Sequence, residues 1–475
     1  MSKALSENAL TRLTDIVGPS GIVSGDATRR YLDDPRGKHH GQTGLVVKPE
    51  YTEQVAQIVT ACGELGLGIV PFGAGSGGVA GHMSLDDRPV VTLSLERMAA
   101  IRQVDARSNV IVVEAGAILA DVQRAAEAVG RKVGLRLASE ESCTIGGNLA
   151  TNAGGVNVLR YGSARDQCLG IEAVMPDGSV LSDIATVRKN NTGYDLRHLM
   201  SGSEGTLGII TAAALTLFPS TEKGLTALCA VPSPDAALDL LHALTAQFGT
   251  VVTAFELLSR LGLSLALKHI PDLPDPMEEK HDWYVLLQVD SAAAICELIE
   301  QWLGEAFETG LIQDAVLASS QKQADALWKL REAAYEYNRL EGAFVTSDTA
   351  VPLSGIGTFI DEVAAGIARV DPALRANFYG HVGDGNIHVN IFPPEGTASN
   401  RQDPGQQALA RRLSDLINEV SVTLGGTISA EHGIGRSRIA DHERFADPTK
   451  RRIQQAIKQA VDPRGVMNPG ALFRD

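Results

Sequence analysis

The 475-residue sequence contains few cysteines, and their arrangement excludes several kinds of site. No pair has the Cys-x-x-Cys spacing, and the five cysteines are scattered at Cys62, Cys143, Cys168, Cys229 and Cys296. This distribution argues against a disulfide framework and against a thiolate metal centre. We therefore expect reduced thiols and a cytoplasmic protein.

Long apolar runs and an excess of positive charge are missing as well. No window approaches the roughly 18 uncharged apolar residues of a membrane span. The first residues carry Glu7 and Asp15 instead of an apolar core, so no signal peptide is predicted. The net charge is 42 − 57 = −15, which would repel a phosphate backbone, so no nucleic-acid partner is expected. The composition is that of a folded protein, and the length predicts two or three domains.

The N-terminal half of the chain alternates strand-like and helix-like segments. Residues 43–49 predict a strand, residues 52–66 a helix capped by Thr52, and residues 67–78 a strand that enters a glycine loop. Beyond residue 220 the pattern changes to long amphipathic helices that are each followed by a strand. The sequence therefore predicts an α/β domain, a second domain of helices and strands, and a tail that could return to the first domain.

The glycine loop reads "PFGAGSGG" at residues 71–78. Glycine lets backbone N–H groups approach an anion and allows positive φ angles. The spacing fits neither the dinucleotide-binding GxGxxG pattern nor the P-loop. From this loop alone, a phosphate cradle and a plain strand-to-helix connection both remain open.

A second glycine cluster follows in "SCTIGGNLATNAGGVNVLRYGSARD" at residues 142–166. Four glycines and two asparagines between positions 146 and 156 disfavour an ordinary helix. The apolar residues Ile145, Leu149 and Val158 make a flexible linker equally unsuitable. A backbone that lies against a large planar ligand explains the composition better, and residues 189–211 have the same character.

Together these segments, with "RYGSARD", "NTGYDL" and "GSEGTLGIIT", resemble the FAD-binding half of the vanillyl-alcohol oxidase superfamily. The resemblance is closer to its D-2-hydroxyacid dehydrogenase branch, which includes D-lactate and D-2-hydroxyglutarate dehydrogenases. It implies an α+β fold with a two-subdomain FAD-binding domain at residues 1–221 and an α+β cap, or substrate, domain at residues 222–460. The C-terminal tail, residues 461–475, is expected to pack on the FAD domain.

The resemblance also implies which residues bind FAD. The pyrophosphate would be held by Gly73, Ala74, Gly75, Ser76 and Gly77, and the flavin would be lined by Gly146, Gly147, Asn148, Thr151 and Gly155. Ile210 would meet the adenine side, and Asn468 in the tail is assigned to the same cofactor site. His82 is the place to look for a covalent flavin link, but the usual histidine attachment context is absent, so non-covalent FAD is expected.

Two histidines surround a glycine turn in "FYGHVGDGNIHVNI", residues 378–391. On one straight strand His381 and His388 would point to opposite faces, but the turn at residues 383–385 could bring both imidazoles together. Glu431 in "SAEHGIGRSR" offers an anionic third ligand. Such a set suits zinc, with manganese as an alternative, although two structural histidines would fit the pattern as well.

The resemblance assigns roles to these residues. It implies that His381, His388 and Glu431 bind a divalent metal, that Asn390 contacts the substrate and that His432 is the catalytic base. Arg331, in a predicted helix whose apolar side includes Leu327 and Leu330, matches the arginine that pairs with the substrate carboxylate. All of these residues lie in the second half of the chain.

The implied reaction is oxidation of a D-2-hydroxyacid to the 2-oxoacid, with hydride transfer to FAD. Thr346 stands where D-2-hydroxyglutarate enzymes have a lysine, and a Tyr335 ring would narrow the pocket, so the sequence predicts a short or apolar tail, as in D-lactate. A glycolate oxidase-like subunit and a metal-dependent hydrolase are the alternatives. The electron acceptor could be an electron-transfer flavoprotein, a quinone or a cytochrome, and a homodimer is one alternative for the oligomeric state.

Overall fold

A computed structural model describes residues 5–34, 37–221 and 224–474. The chain forms two compact units: unit 1 is Met1–Gly155, Gly162–Ser220 and Glu431–Asp475, and unit 2 is Val156–Tyr161 and Thr221–Ala430. Residues 431–460, which the sequence assigns to the cap domain, therefore group with unit 1. Within the described ranges, no helix combines the length and the apolar character needed to cross a membrane.

Helices and strands are interspersed along the chain. The helices are α1 (Glu7–Val17), α2 (Arg29–Leu32), α3 (Thr52–Leu65), α4 (Leu119–Glu127), α5 (Ile145–Thr151), α6 (Val158–Tyr161), α7 (Ala164–Gln167), α8 (Leu196–Met200), α9 (Pro234–Phe248), α10 (Arg260–His269), α11 (Ala293–Glu308), α12 (Gln321–Glu332), α13 (Ala334–Leu340), α14 (Ile356–Val370), α15 (Pro404–Thr423), α16 (Ile439–Phe445) and α17 (Pro448–Val461). The strands are β1 (Ile22–Val23), β2 (Leu45–Val47), β3 (Gly68–Phe72), β4 (Val90–Ser94), β5 (Ile101–Asp105), β6 (Val110–Glu114), β7 (Arg131–Val133), β8 (Cys168–Val174), β9 (Val180–Asp183), β10 (Ile209–Pro219), β11 (Gly224–Val231), β12 (Val252–Ser259), β13 (Trp283–Asp290), β14 (Asp314–Leu317), β15 (Val345–Thr346), β16 (Thr349–Ala350), β17 (Arg375–Gly380) and β18 (Asn386–Phe392).

Unit 1 contains two sheets. One has the order β1-β2-β4-β3, with β2, β4 and β3 parallel and β1 antiparallel to β2. The other is antiparallel, with the order β5-β6-β10-β8-β9 and β7 paired to β10. The predicted strand–helix–strand start is confirmed by β2, α3 and β3, but the predicted cap is wrong. Thr52 is the first helical residue, and its hydroxyl donates to Glu172 Oε1 at 2.6 Å instead of capping the helix.

Helix α5 contradicts the expectation that the second glycine cluster would not be helical. Its N-cap is Thr144, whose side chain accepts a hydrogen bond from the Gly147 amide, and it ends at Asn152 in the left-handed conformation. A Cβ on Gly146 would lie 2.6 Å from Ala115 Cβ, so glycine allows the helix to pack against the end of β6. Tertiary packing therefore overrides the low helix propensity of this segment.

Unit 2 is built on a sheet that is buried on both faces. Its order is β14-β11-β13-β12-β17-β18-β15, with β16 also paired to β18. Along β12, Phe255 and Leu257 join one apolar cluster, whereas Ala254 and Leu258 join a second cluster on the opposite face together with residues of α12. The period-2 alternation of a strand puts Glu256 on the α12-covered face, between two apolar neighbours.

The C-terminal segment is tied into unit 1 by backbone and side-chain hydrogen bonds. The Ile69 amide donates to Val466 O and the Asn468 amide donates to Ile69 O, both at 2.8 Å. The buried Asp462 carboxylate accepts from the amides of Val466 and Met467 at 3.0 and 2.8 Å. It also pairs with Lys458 Nζ at 2.5 Å.

We predict that Asp462→Ala loosens this segment, because it leaves a largely buried ammonium without its counter-ion and two amides without their acceptor. Breaking a buried pair on one side costs about 3 kcal/mol, which corresponds to amide exchange on the order of 100-fold faster. Hydrogen exchange of peptides containing Ile69 and Asn468 measures the effect. The exposed Asp87, changed to Ala, is the control and should leave exchange unaltered; equal rates in both variants would contradict the prediction.

Candidate functional site

A cleft in unit 1 brings together most of the residues that the sequence assigns to the cofactor. Its empty volume, which includes the part open to solvent, is about 1030 Å³. The predicted residues that line it are Gly73, Ala74, Gly75, Ser76, Gly77, Gly146, Gly147, Asn148, Thr151 and Ile210. The glycine loop after β3, the helix α5 and the start of β10 therefore share one cavity.

The glycines of the loop are explained by two different constraints. A Cβ on Gly73 would lie 2.8 Å from Thr144 Oγ1, so this position needs glycine for close packing. Gly75 has φ +73°, a left-handed backbone that side chains disfavour. A Cβ on Gly77 would meet no atom within 4 Å, so this position faces open space that a ligand can fill.

Two polar groups at this cleft favour a ligand rich in acceptors. Asn148 is 4% exposed, and its Nδ2 makes no hydrogen bond of ordinary geometry. Burial raises the pKa of the neighbouring Cys143 thiol, and the contact with Asn148 partly opposes that shift. His82 Nε2 is likewise buried without a hydrogen bond, and burial lowers the pKa of His82 to about 4. Buried polar groups normally find a partner, so the phosphates and ring heteroatoms of FAD fit this cleft.

Two residues that the sequence assigns to the cofactor, Gly155 and Asn468, do not line the cleft and instead form hydrogen bonds within unit 1. Gly155 is not among the residues that line the cleft; a Cβ there would lie 2.2 Å from Arg136 O, and its amide donates to Glu431 Oε2 at 3.1 Å. Asn468 also lies outside the lining. Its Nδ2 donates to Gly81 O and Glu204 O, and its Oδ1 accepts from Arg436 Nη2.

The predicted base, His432, lies at the start of Glu431–Asp475, the last segment of unit 1. His432 lines the cleft, and its Nε2 lies 3.7 Å from Oε1 of Glu431. The other oxygen of Glu431 is bound by Gly155, so the carboxylate has a defined orientation within unit 1. The predicted base and one predicted metal ligand are thus adjacent to each other and to the glycine-rich wall.

In unit 2, the turn between β17 and β18 brings both histidines together. The ring centroids of His381 and His388 are 5.8 Å apart at an interplanar angle of 75°. Nδ1 of His381 lies 2.6 Å from Glu256 Oε1, and Nδ1 of His388 lies 3.4 Å from Ser347 O. When Nδ1 donates to these acceptors, Nε2 carries the lone pair that a metal requires.

Glu256 is the residue on which this face of unit 2 depends, and the sequence analysis did not identify it. It is fully buried, and its two oxygens bind different partners, His381 Nδ1 at 2.6 Å and Arg331 Nε at 2.8 Å. Burial alone raises the pKa of Glu256, but the charges of His381 and Arg331 outweigh it and bring the pKa to about 2. The available signal was one acidic residue within a strand sequence that carries no other charge, "VTAFELLS".

Arg331 is part of this cluster and is not a solvated helix charge. Its guanidinium carbon lies 4.9 Å from the centre of the Tyr379 ring, and the hydroxyl of Tyr379 accepts from Asn390 Nδ2 at 2.9 Å. Tyr379 also lies opposite His388 in the sheet. Tyr335, which was expected to narrow the pocket, is 55% exposed.

Comparison with known proteins identifies the family. The model for FAD linked oxidases, C-terminal domain, matches residues 221–472, and the model for the FAD binding domain matches residues 43–183. Curated relatives include D-2-hydroxyglutarate dehydrogenase, mitochondrial, of Arabidopsis thaliana, which is 33% identical over 98% of this chain and 81% of its own length. D-2-hydroxyglutarate dehydrogenase of Xanthomonas citri pv. viticola is 32% identical over 94% and 91%. D-2-hydroxyglutarate–pyruvate transhydrogenase of Saccharomyces cerevisiae is 29% identical over 98% and 94%.

Solved structures define the fold. p-Cresol methylhydroxylase with substrate bound has a TM-score of 0.76 at 15% identity, covering 99% of this chain and 98% of its own. Alkyldihydroxyacetonephosphate synthase has a TM-score of 0.75 at 16% identity, covering 99% and 87%. The predicted α+β fold of the vanillyl-alcohol oxidase type is thereby confirmed. The chain belongs to the FAD linked oxidases, and FAD is its cofactor.

Proposed function

We propose that the chain oxidises a D-2-hydroxyacid to the 2-oxoacid, and that D-2-hydroxyglutarate is its substrate. The names of the relatives support this assignment. The structural observation that carries it is the cluster on one face of unit 2, where Arg331 is held against the buried Glu256 next to His381. A fixed guanidinium suits a carboxylate, and imidazoles suit the polar end of a hydroxyacid.

The reaction removes a hydride from C2 and a proton from the C2 hydroxyl. Arg331 binds the substrate carboxylate through its terminal amino groups, because its Nε is already bonded to Glu256. Asn390 contacts the substrate through its amide oxygen, since its Nδ2 donates to Tyr379. His432 accepts the hydroxyl proton, a step suited to an imidazole near neutral pH. FAD, when bound, supplies the ring that takes the hydride.

A divalent cation, zinc or manganese, completes the proposed site. His381 and His388 are its imidazole ligands and Glu431 its carboxylate ligand. The orientation of the two imidazoles in unit 2 supports the histidines, because both Nδ1 atoms face acceptors. Such a cation would supply Lewis acidity toward the substrate hydroxyl. The electron acceptor is proposed to be an electron-transfer flavoprotein, a quinone or a cytochrome.

D-Lactate is the second candidate substrate, and a specific observation favours it. A second carboxylate, as in hydroxyglutarate, needs its own cation when it is buried. Arg331 is already partnered by Glu256, and Thr346 stands where the resemblance to D-2-hydroxyglutarate dehydrogenases implies a lysine. The match of this chain to the FAD linked oxidases leaves the alternative of a metal-dependent hydrolase without support.

The cofactor is predicted to be non-covalent and to depend on Asn148. Acid precipitation should release the yellow colour into the supernatant; a yellow pellet would indicate a covalent link, with His82 as the first residue to examine. Asn148→Ala should raise the Kd of FAD by about tenfold, because it removes one hydrogen bond to the ligand. The exposed Asn8, changed to Ala, is the control and should bind FAD like the wild type.

We predict that metal binding depends on the two histidines and not on other polar side chains of the same strand. His388→Ala should abolish bound metal, measured by mass spectrometry, and lower turnover by more than about 100-fold. Asn390→Ala, on the same strand and the same face, should keep the metal while turnover falls. Full turnover after exhaustive chelation would show that both histidines are structural.

The proposed substrate is tested by comparing kcat/KM for D-2-hydroxyglutarate and D-lactate with a dye acceptor. We expect kcat/KM for hydroxyglutarate to exceed that for lactate by at least about tenfold, or about 1.4 kcal/mol, in the order that the names of the relatives support. Arg331→Lys should lower kcat/KM for both acids, because lysine cannot reproduce the bidentate contact. A reversed order of the two substrates would favour the lactate assignment.

A further inference from the structure

A buried carboxylate in unit 1 holds the backbone that follows the proposed base. Glu204 is 8% exposed, and its Oε1 accepts from the Ile434 amide at 2.8 Å while Oε2 accepts from the Gly435 amide at 2.7 Å. These amides lie two and three residues after His432. Both oxygens are thus committed to one short stretch of backbone, and Glu204 and His432 line the same cleft.

The stretch from residue 433 to residue 435 is fitted closely around this carboxylate. Gly433 has φ +80°, and a Cβ there would lie 2.6 Å from Glu204 Oε1. Gly435 has φ +52°, and a Cβ there would lie 2.1 Å from Val79 O. Glycine is therefore required at both positions, and the backbone has little freedom to adopt another path while Glu204 is in place.

Glu204 itself is held in an unfavourable conformation. Its φ is +51°, a left-handed backbone that is unfavourable for a non-glycine residue. Its amide donates to Ala150 O at 2.8 Å, and its carbonyl accepts from Asn468 Nδ2 at 2.7 Å. Helix α5 and the C-terminal tail therefore fix Glu204 from both sides, which is the arrangement expected of a support for a functional group.

We infer that Glu204 is a positioning residue that orients His432 at the flavin cleft by fixing the amides of Ile434 and Gly435. The inference rests on the proposed function, in which His432 accepts the substrate proton. Proton transfer requires a base within hydrogen-bond reach of the hydroxyl, so loss of these two anchors should slow flavin reduction more than it weakens substrate binding.

The test is a double-mutant cycle on FAD-saturated enzyme, with flavin reduction by D-2-hydroxyglutarate followed in an anaerobic stopped-flow instrument. Glu204→Gln exchanges one acceptor for an NH₂ group, which leaves a buried amide without a partner and should slow reduction by about 5- to 150-fold, with KM within threefold. In a His432→Ala background, Glu204→Gln should change the rate by less than twofold. Full multiplication of the two effects would overturn the positioning role.

A second readout does not depend on catalysis. Hydrogen exchange of the peptide 431–438 in the flavin-free protein should be faster in Glu204→Gln, because one of the two amides loses its acceptor. Gly433→Ala disturbs the same contact from the other side and should reproduce both effects if Glu204→Gln fails to fold. Unchanged exchange in both variants would overturn the inference.

A matched control and an independent outcome separate this inference from the proposed function. Glu172, another carboxylate of unit 1, accepts from Thr52 and Thr211 and lies outside the residues that line the cleft. Glu172→Gln should leave the reduction rate and the 431–438 exchange unaltered. If His432→Ala alone reduces the flavin at the wild-type rate, the assignment of the base fails, and the role of Glu204 in catalysis fails with it. A slow His432→Ala with multiplicative effects refutes only the positioning.

Discussion

A carboxylate with no exposure to water has to be neutralised, and this requirement organises the polar face of unit 2. Glu256 lies on a strand whose neighbours on the same face are apolar, so it has no solvent to stabilise its charge. One oxygen binds Arg331 and the other binds His381. Removing either partner would leave one oxygen of this buried carboxylate without its partner, so Arg331 and His381 are both held in place through Glu256. The positions of the Arg331 guanidinium and of the His381 imidazole thus depend on this one buried carboxylate.

Unit 1 also contains a buried carboxylate, Glu204, which is stabilised by backbone amides instead of side-chain cations. Burial raises the pKa of Glu204, and the amides of Ile434 and Gly435 oppose that shift. Amides are fixed by the chain, so a carboxylate that accepts from two of them constrains backbone, whereas Glu256 constrains side chains. In both units, a buried acidic residue determines the orientation of the groups that are bonded to it.

The sequence predicted the parts of the site that are local and missed those that are not. The glycine loop, His381 and His388 could be found because glycine clusters and paired histidines are recognisable in short sequence motifs. Glu256 could not, since its partners are 75 and 125 residues away and only the fold makes them neighbours. Helix α5 was missed because its local helix propensity is poor, and the contact of Gly146 with Ala115 that stabilises it is long-range.

The charges of Glu256 and Arg331 bear on what a cation on this face of unit 2 would contribute. Glu256 and Arg331 cancel each other to first order, so the face presents little net positive charge to an anionic substrate. An imidazole can carry a proton or a metal on Nε2 while its Nδ1 still donates to Glu256, and both occupants add positive charge at His381. A divalent ion shared by His381 and His388 would add more than a proton does, and it would persist above the pH at which an imidazole loses its proton. A dicarboxylate would benefit from this difference more than a monocarboxylate, because each buried negative charge needs its own compensation.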